Sequence, residues 1–335
     1  MKKYLEHPPI NFGKTGVLII NLGTPDSTSW LDIRKYLKEF LSDRRVIEVN
    51  PIIWQLILNI FILTFRPSKT AKAYKEIWMK EENMSPLRYY TEKQASKLKK
   101  TISNKNIIID YAMRYGNPSI KNIMKKLQEK GCENLIVLPL YPQYAAATTA
   151  TVCDEVYRTL MKIRWQPSLQ IIPHYESEPL YVDAIVKSIN KKISELNWVP
   201  DLIIASYHGI PKKYFEKGDP YHCYCQKTTR LINEKFTKIP IETTFQSRFG
   251  PQEWLQPYTD KTLEKLPTLG KKNILVICPG FSSDCVETLE EISIQGKESF
   301  FNSGGKNFDV VPCLNDSDDH IRLLKLLVNK YIINK

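Results

Sequence analysis

Short apolar runs alternate with longer amphipathic segments along the whole chain of 335 residues. Most of these runs are continuously apolar, which is typical of parallel strands that helices cover on both faces. The pattern predicts eight strands, at residues 16–22, 106–113, 134–140, 169–173, 201–207, 241–247, 273–279 and 308–312. The alternation of strands with helices predicts a doubly wound α/β architecture.

The segments between these runs carry the apolar stripe of an amphipathic helix. In residues 119–131, apolar side chains recur at helical spacing and Gly131 supplies a stop signal. The side chains of this stripe are Ile120, Ile123, Met124 and Leu127.

The two halves of the sequence repeat one another. Residues 134–144 and 273–283 each contain an asparagine, an apolar strand, a proline and a polar loop that leads into a helix. Residues 16–25 and 201–211 each contain a strand, a loop, a glycine and, two residues later, a proline. These repeats predict two similar α/β halves.

The predicted division assigns residues 1–165 to the N-terminal half and residues 166–335 to the C-terminal half, whose last helix packs back on the first half. Ligands of such sheets bind beyond the carboxyl ends of the strands. The loops that follow the predicted strands are therefore the first places to look for a site.

The longest apolar run covers residues 52–65 and lies in a predicted apolar lip at 40–66. Fourteen residues of helix span about 21 Å, which is short of the roughly 30 Å of a bilayer core, so this run is not expected to cross a membrane. Two interpretations stay open. The run is either a buried core helix or an apolar lip beside a pocket or a membrane surface, where Arg44, Arg45 and Arg66 would flank it.

The net charge of the chain is +12. This excess suits an acidic partner, such as a nucleic acid, an anionic membrane or a substrate with carboxylates. The basic residues are scattered and no nucleic-acid-binding motif is visible, so no nucleic-acid partner is expected. The N-terminal residues lack the apolar core of a signal peptide, so none is expected.

The seven cysteines are odd in number and show no framework spacing. This predicts free thiols in a reducing compartment. Cys223 and Cys225 are too close in sequence for the usual C-x-x-C zinc site.

His208 is the first candidate for chemistry, because it directly follows the predicted strand 201–207. Imidazole can accept a proton near neutral pH or bind a borderline metal ion. A lone histidine is also a common structural residue, so its position alone does not assign it a role.

A line of carboxylates is the second candidate. Four acidic residues recur at i, i+3, i+7 and i+14, close to one face of an α-helix. They are Asp284, Glu287, Glu291 and Glu298. A divalent cation that passed along this face would relieve the repulsion between like charges. The alternative is a well-capped helix start, where carboxylates interact favourably with the helix dipole.

Arginines and aromatic residues occupy several of the same loops. Guanidinium groups bind carboxylates with two parallel hydrogen bonds, and aromatic rings can form the walls of a pocket. The arginines are Arg44, Arg45, Arg114 and Arg248, and the aromatic residues are Tyr115, Tyr141, Tyr144, Tyr207 and Trp254. Together they predict a pocket for a large, flat anion that meets a cation, although core packing is the simpler interpretation of each ring alone.

These segments resemble the ferrochelatase family, whose enzymes insert Fe²⁺ into a porphyrin to make haem. The resemblance extends over nearly the whole chain, with the motifs in the family's order. The motifs lie at residues 21–27, 40–46, 85–95, 113–119, 138–149, 206–221, 243–257 and 279–292. The most specific of them are His-Gly-Ile-Pro at 208–211 and Asp-Cys-Val-Glu-Thr-Leu-Glu-Glu at 284–291.

The resemblance implies two similar Rossmann-like domains of the chelatase type, each with a parallel four-stranded sheet flanked by helices, and an active-site cleft between them. It implies that His208 and Glu287 face each other across the cleft as the Fe²⁺ site and as the acceptors of the pyrrole protons. Asp284 and Glu291 would belong to an acidic track that delivers metal or removes protons.

For the porphyrin, the resemblance and the residue types together lead us to expect several contacts. The expected contacts are Leu22, Arg44, Arg45, Arg114, Tyr115, Tyr144 and Trp254. Leu22 and the run 52–65 would form apolar walls. Arg44, Arg45 or both would bind a propionate.

Iron is expected as a substrate, and no redox cofactor would be consumed. Some family members hold a [2Fe-2S] cluster, with one cysteine in the segment that matches Ala146 and three in a C-terminal extension. Because residue 146 is alanine and the sequence ends at Lys335, no such cluster is expected. Cys285 stands where some members carry histidine and would offer an extra ligand beside Glu287.

The expected function is therefore that of a cytoplasmic ferrochelatase that inserts Fe²⁺ into protoporphyrin IX and releases two pyrrole protons, with peripheral contact at the inner face of the membrane. Leu22 favours protoporphyrin, because coproporphyrin-using relatives can carry tyrosine at this position. The alternatives are insertion into coproporphyrin III and a non-catalytic protein that binds a tetrapyrrole or a metal in the same cleft.

Overall fold

The computed structural model describes residues 13–332 as two halves, each built on a parallel four-stranded sheet. The expectation about a signal peptide concerns residues 1–12, which lie outside the described residues. The strands are β1 (Lys14–Thr24), β2 (Ile107–Gly116), β3 (Cys132–Pro139), β4 (Ser168–Ile171), β5 (Leu202–His208), β6 (Ile241–Gln246), β7 (Asn273–Ile277) and β8 (Asn307–Val310). The first sheet has the order β2-β1-β3-β4 and the second has the equivalent order β6-β5-β7-β8. The predicted architecture and all eight predicted strands are confirmed.

Helices connect the strands and pack against the sheets. They are α1 (Trp30–Leu41), α2 (Pro51–Ile57), α3 (Leu63–Ile77), α4 (Pro86–Thr101), α5 (Ile120–Glu129), α6 (Thr151–Leu160), α7 (Pro179–Glu195), α8 (Lys212–Glu216), α9 (Tyr221–Lys235), α10 (Thr259–Lys265), α11 (Lys297–Asn302) and α12 (Asp318–Asn329). The stripe predicted for α5 is buried, and Gly131 follows this helix with φ of 86°. Glycine adopts such positive φ values at little cost, which is why it stops the helix there.

The two halves share one apolar core, and the last helix of the C-terminal half packs on the N-terminal half. β4 pairs in parallel with β3, so the N-terminal half continues past residue 165 and the predicted boundary is too early. α12 packs against α4 of the N-terminal half. Buried residues of both sheets, such as Ile136 and Ile203, belong to one continuous apolar cluster. The cleft between the halves is therefore framed by elements that pack together as one body.

The apolar run 52–65 lies on the surface. A π-helical turn, Leu58–Ile62, joins α2 to α3 in one helix of 27 residues, which by length and composition would suffice to cross a membrane. Leu58 and Leu63 pack inward, whereas most of the large apolar side chains are exposed. The exposed ones are Ile52, Ile53, Leu56, Ile57, Ile60, Phe61 and Phe65. The interpretation as a buried core helix is therefore wrong. The helix is also longer than the 14 apolar residues of the run indicate.

Candidate active site

A cavity with about 790 Å³ of space, counted to its open mouth, lies at the carboxyl ends of strands from both sheets. β1, the loop after β3, the end of β5 and the loop after β7 supply most of its lining. Leu22, His208 and Glu287 all line this cavity. These three predicted residues, which are far apart in the sequence, therefore meet at one place.

His208 is the last residue of β5, and its ring is held by the next peptide. Its Nδ1 lies 2.6 Å from the carbonyl oxygen of Gly209. Because a carbonyl can only accept, Nδ1 must carry the hydrogen, and Nε2 of the neutral ring is left without one. Nε2 is thus the atom that can take up a proton or bind a metal ion. The ring of Trp254 lies 6.5 Å away, centroid to centroid.

Glu287 begins a π-helix, Glu287–Gly296, that α11 continues. Its backbone oxygen accepts a hydrogen bond of 2.8 Å from Gln246 Nε2, at the end of β6. Burial, followed by the charge of Glu287, raises the pKa of the neighbouring Cys285 thiol well above its usual range. Cys285 therefore stays protonated beside Glu287 at neutral pH and is poorly suited to bind metal as a thiolate.

Glu291 lies four residues further along the π-helix and is hydrogen-bonded to the end of β6. Its carboxylate accepts from the backbone nitrogen of Ser247 at 2.7 Å and from the Ser247 hydroxyl. Ser247 adopts a φ of 65°, which is unusual for a residue other than glycine. Burial raises the pKa of Glu291, a nearby Glu287 adds to the rise, and Ser247 and His208 oppose it. Glu291 is thus a carboxyl group with a raised pKa within electrostatic range of both site residues.

Asp284 does not line this cavity, and its predicted place in an acidic track stays a prediction. Its two carboxylate oxygens accept hydrogen bonds from Thr288 Oγ1, Cys313 N and Asn315 Nδ2 at 2.6–3.2 Å. The carboxylate is buried and holds the loop before the π-helix. The segment that begins at Glu287 is a π-helix, which bonds i to i+5. Residues that would share one face of an α-helix therefore do not all share one face here.

The walls of the cavity are mostly aromatic and aliphatic. The N-terminal half contributes tyrosines that sequence reasoning did not single out, Tyr36 from α1 and Tyr74 from α3. Phe281 and Val286 come from the loop after β7. Nothing in the local pattern of α1 or α3 distinguishes these tyrosines from core residues, because only tertiary packing brings them to the cavity.

The family model described as Ferrochelatase matches residues 14–332. Curated relatives named ferrochelatase include one from Allorhizobium ampelinum that is 54% identical over 97% of this chain and 95% of its own length. Another, from Francisella tularensis, is 49% identical over 97% of this chain and 98% of its own length. This chain belongs to the ferrochelatase family. It is an enzyme that inserts iron into a porphyrin, as the motifs had predicted.

Solved structures of chelatases share the fold at much lower sequence identity. SirB from Bacillus subtilis with Fe³⁺ superposes with a TM-score of 0.57 and 11% identity over 95% of each chain. CbiX superposes with a TM-score of 0.51 and 10% identity over 95% of this chain and all of its own. At this identity the likeness shows the fold alone.

Arg114 and Tyr115 of the ferrochelatase do not line the cavity that holds His208. Arg114 lines a more polar cavity that it shares with Arg44 and Arg45, and the predicted porphyrin contacts of both residues stay predictions. Arg114 donates from Nη2 to Asp43 at 2.5 Å and from Nε to Thr151 Oγ1 at 2.6 Å. Tyr115 is fully buried, and its hydroxyl donates to the same Asp43 carboxylate at 2.9 Å. Burial acts to raise the pKa of Asp43, but its hydrogen bonds and the Arg114 charge outweigh this and lower it. These residues anchor the loop after α1.

Arg44 and Arg45 line a second, larger and more polar cavity of about 1990 Å³ beside that loop. Arg45 forms a two-bond ion pair with Asp154, at 2.8 and 3.2 Å. Arg44 is exposed and has no ion pair with the described residues 13–332. Tyr144 follows β3 and lies near Arg45 and Asp219, but it does not line the cavity that holds His208.

In residues 13–332, no group of three or more histidine, cysteine or acidic side chains could hold a metal ion. Cys223 is exposed and Cys225 is buried on α9, so the C-x-C pair is split between two environments.

We predict that Asp43→Ala lowers the free energy of unfolding by about 3–5 kcal/mol, because it leaves the Arg114 charge buried without a partner. Side-chain exposures of 8% for Arg114 and 10% for Asp43 place this pair in the interior. The matched control is Asp154→Ala, which breaks the half-exposed pair with Arg45 and should cost less than about 1 kcal/mol. Urea unfolding of both variants measures this, and equal losses would contradict the structural role of Asp43.

Proposed function

We propose that this ferrochelatase acts on protoporphyrin IX, with His208 and Glu287 as the residues that receive Fe²⁺ and the pyrrole protons. The observation that carries the proposal is the hydrogen bond from His208 Nδ1 to Gly209 O, which leaves Nε2 without a hydrogen in a cavity that Glu287 shares. An imidazole and a carboxylate on one cavity provide a base and a pair of iron ligands.

The chemistry requires that a stiff, planar ring lose two N–H protons while Fe²⁺ enters. Binding energy from the apolar walls can supply the distortion of the ring that exposes its nitrogens. His208 Nε2 would accept a proton, and Glu291, whose pKa burial raises, would hold a proton further along the π-helix. The two protons leave as Fe²⁺ replaces them, so charge is conserved and no redox cofactor is needed. We also propose that no [2Fe-2S] cluster is bound.

We propose Arg44, which lines the second, polar cavity, as the first partner of a propionate. Arg45 already shares its guanidinium with Asp154, whereas Arg44 has no ion-pair partner in the described chain. Trp254, beside His208, and Tyr144 are proposed as aromatic contacts of the porphyrin.

Anaerobic assays with protoporphyrin IX and Fe²⁺ should give haem, and His208→Ala should lower kcat by at least about 100-fold, because general base catalysis contributes that much. Glu287→Gln should also lower kcat. The matched control is His222→Ala, a half-buried histidine on α9 that does not line the cavity. Near-normal turnover by His208→Ala would refute its role. A wild-type protein that shifts the porphyrin Soret band without forming haem would support the non-catalytic alternative.

The apolar lining favours protoporphyrin over coproporphyrin III, whose four propionates would bring two further carboxylates near Leu22 and the tyrosine walls. Burying a carboxylate without a partner is costly.

We expect kcat/KM for protoporphyrin IX to exceed that for coproporphyrin III by at least tenfold, since about 1.4 kcal/mol of unpaired charge already gives that ratio. Initial rates with both porphyrins under equal detergent and iron conditions measure this. The reverse order would replace the proposed substrate with coproporphyrin III and leave the activity intact.

We further propose that the protein is cytoplasmic and contacts the inner face of the membrane through the exposed side of α2, the following π-helical turn and the first turn of α3. Ile52 exposes 76% of its surface and Phe65 exposes 72%, so this apolar patch lacks a partner within the described chain. Arg44 and Arg66 flank it, and the net charge of +12 favours an anionic surface. No nucleic-acid partner is proposed.

Sedimentation with vesicles of phosphatidylglycerol and phosphatidylcholine should capture the wild-type protein at low salt. The triple variant Ile60→Glu, Phe61→Glu, Phe65→Glu should lose at least about tenfold in binding, because each buried apolar side chain contributes roughly 1.5–3 kcal/mol. The matched control is Val199→Glu, which changes an isolated side chain with 73% exposure elsewhere. Equal vesicle binding by the triple variant, or a salt-independent failure of the wild type to bind, would refute the membrane contact.

A further inference from the structure

Gln143 is a buried residue of the cavity whose amide oxygen has no partner. It follows β3, is only 2% exposed and lines the cavity that holds His208. No donor in the described residues 13–332 reaches its Oε1. Buried polar groups without a hydrogen bond are rare in native proteins, and each calls for an explanation such as a ligand.

The orientation of this amide follows from its neighbours. Nε2 donates to Thr228 Oγ1 at 2.9 Å and to the Tyr181 hydroxyl at 3.4 Å. The Thr228 hydroxyl gives its hydrogen to the backbone oxygen of Glu176 at 3.0 Å, and Tyr181 gives its own to the backbone oxygen of Pro279 at 2.5 Å. Because each hydroxyl has one hydrogen and carbonyls only accept, both hydroxyls can only accept from Gln143. The amide cannot be flipped, and Oε1 is held as an acceptor.

Gly280 lies beside this oxygen. A Cβ at position 280 would lie 3.6 Å from Gln143 Oε1 and 3.3 Å from Tyr207 Cδ1. Gly280 does not adopt a positive φ, so its backbone conformation does not require glycine. The missing side chain instead keeps a Cβ out of van der Waals contact with Oε1, which is itself buried from water.

We infer that Gln143 is a substrate-binding residue of the ferrochelatase, which presents a fixed hydrogen-bond acceptor to an N–H or O–H donor of the bound reactants. Two donors have this chemistry, the inner N–H groups of the metal-free porphyrin and the water molecules on incoming Fe²⁺. An acceptor that is satisfied only when a reactant is present favours binding of that reactant. The inference rests on the ferrochelatase activity and not on the choice between protoporphyrin and coproporphyrin.

The test is Gln143→Leu, which keeps the volume and removes the acceptor. Fluorescence titration measures the affinity for metal-free protoporphyrin IX and for its zinc complex, which has no inner N–H. If the porphyrin is the donor, the metal-free form should bind about two- to tenfold more weakly and the zinc complex should bind unchanged. If iron-bound water is the donor, both affinities should hold and KM for Fe²⁺ should rise by a similar factor. No change in any of the three quantities would overturn the inference.

Three further variants separate this role from a structural one. Thr228→Val removes a partner that orients the amide without touching the cavity, and it should reproduce part of the effect. Its matched control, Thr149→Val, removes a buried hydroxyl that has no partner and should change nothing. Gln170→Leu alters a glutamine of β4 whose Oε1 also has no partner and which does not line the cavity, and its thermal unfolding calibrates the general cost of the change.

Should Gln143→Leu fail to fold, Gly280→Ala gives the same test, because its methyl group would cover Oε1. It should weaken the same reactant as predicted for Gln143→Leu, and unchanged affinities and KM in a folded Gly280→Ala protein would overturn the inference. Porphyrin binding is read without turnover, so a failure of the catalytic roles proposed for His208 and Glu287 would be seen separately.

Discussion

The geometry of the cleft depends on one buried amide, that of Gln94 on α4. Its Nε2 donates to Ser283 Oγ at 2.9 Å and to the backbone oxygen of Asn315 at 2.8 Å, both in the C-terminal half. Asn315 in turn donates to the Asp284 carboxylate at 2.6 Å, just before the π-helix that carries Glu287. Because unpaired polar groups are costly in an interior of low dielectric, these contacts favour one arrangement of the two halves. The loop that leads into Glu287 is thereby held against α4 of the N-terminal half.

Hydrogen bonding and burial give His208 and Glu291 different chemical properties in the site. The bond from His208 to Gly209 commits one ring nitrogen and leaves the other available. Glu291, hydrogen-bonded to Ser247 and enclosed by protein, has its pKa raised, so that it retains a proton more readily than a carboxylic acid in water. His208 and Glu291 thus lie within electrostatic range of each other, which suits a reaction that exchanges protons for iron.

The same physics explains why three predicted site residues do not line the cavity that holds His208. Arg114 and Tyr115 have the side chains expected of an anion site, but Asp43 satisfies both of them inside the protein. Asp284 has the charge expected of a metal path, but backbone and side-chain donors of the following loops use both of its oxygens. In each case the partner is distant in sequence or belongs to an irregular segment, so residue type and spacing could not reveal it.

The sequence by itself determined the architecture, because continuous apolar strands and amphipathic helices allow few arrangements other than two parallel sheets covered by helices. It also predicted His208 at the carboxyl end of a strand, where such sheets bind ligands, and the family resemblance placed Glu287 opposite it; their catalytic roles stay predictions. Only the tertiary structure decided which polar groups face the cavity and which are consumed by internal bonds, and it alone turned the side of α2 outward. Hydrogen-bond satisfaction and burial are properties of contacts between distant segments, which spacing along one chain does not encode.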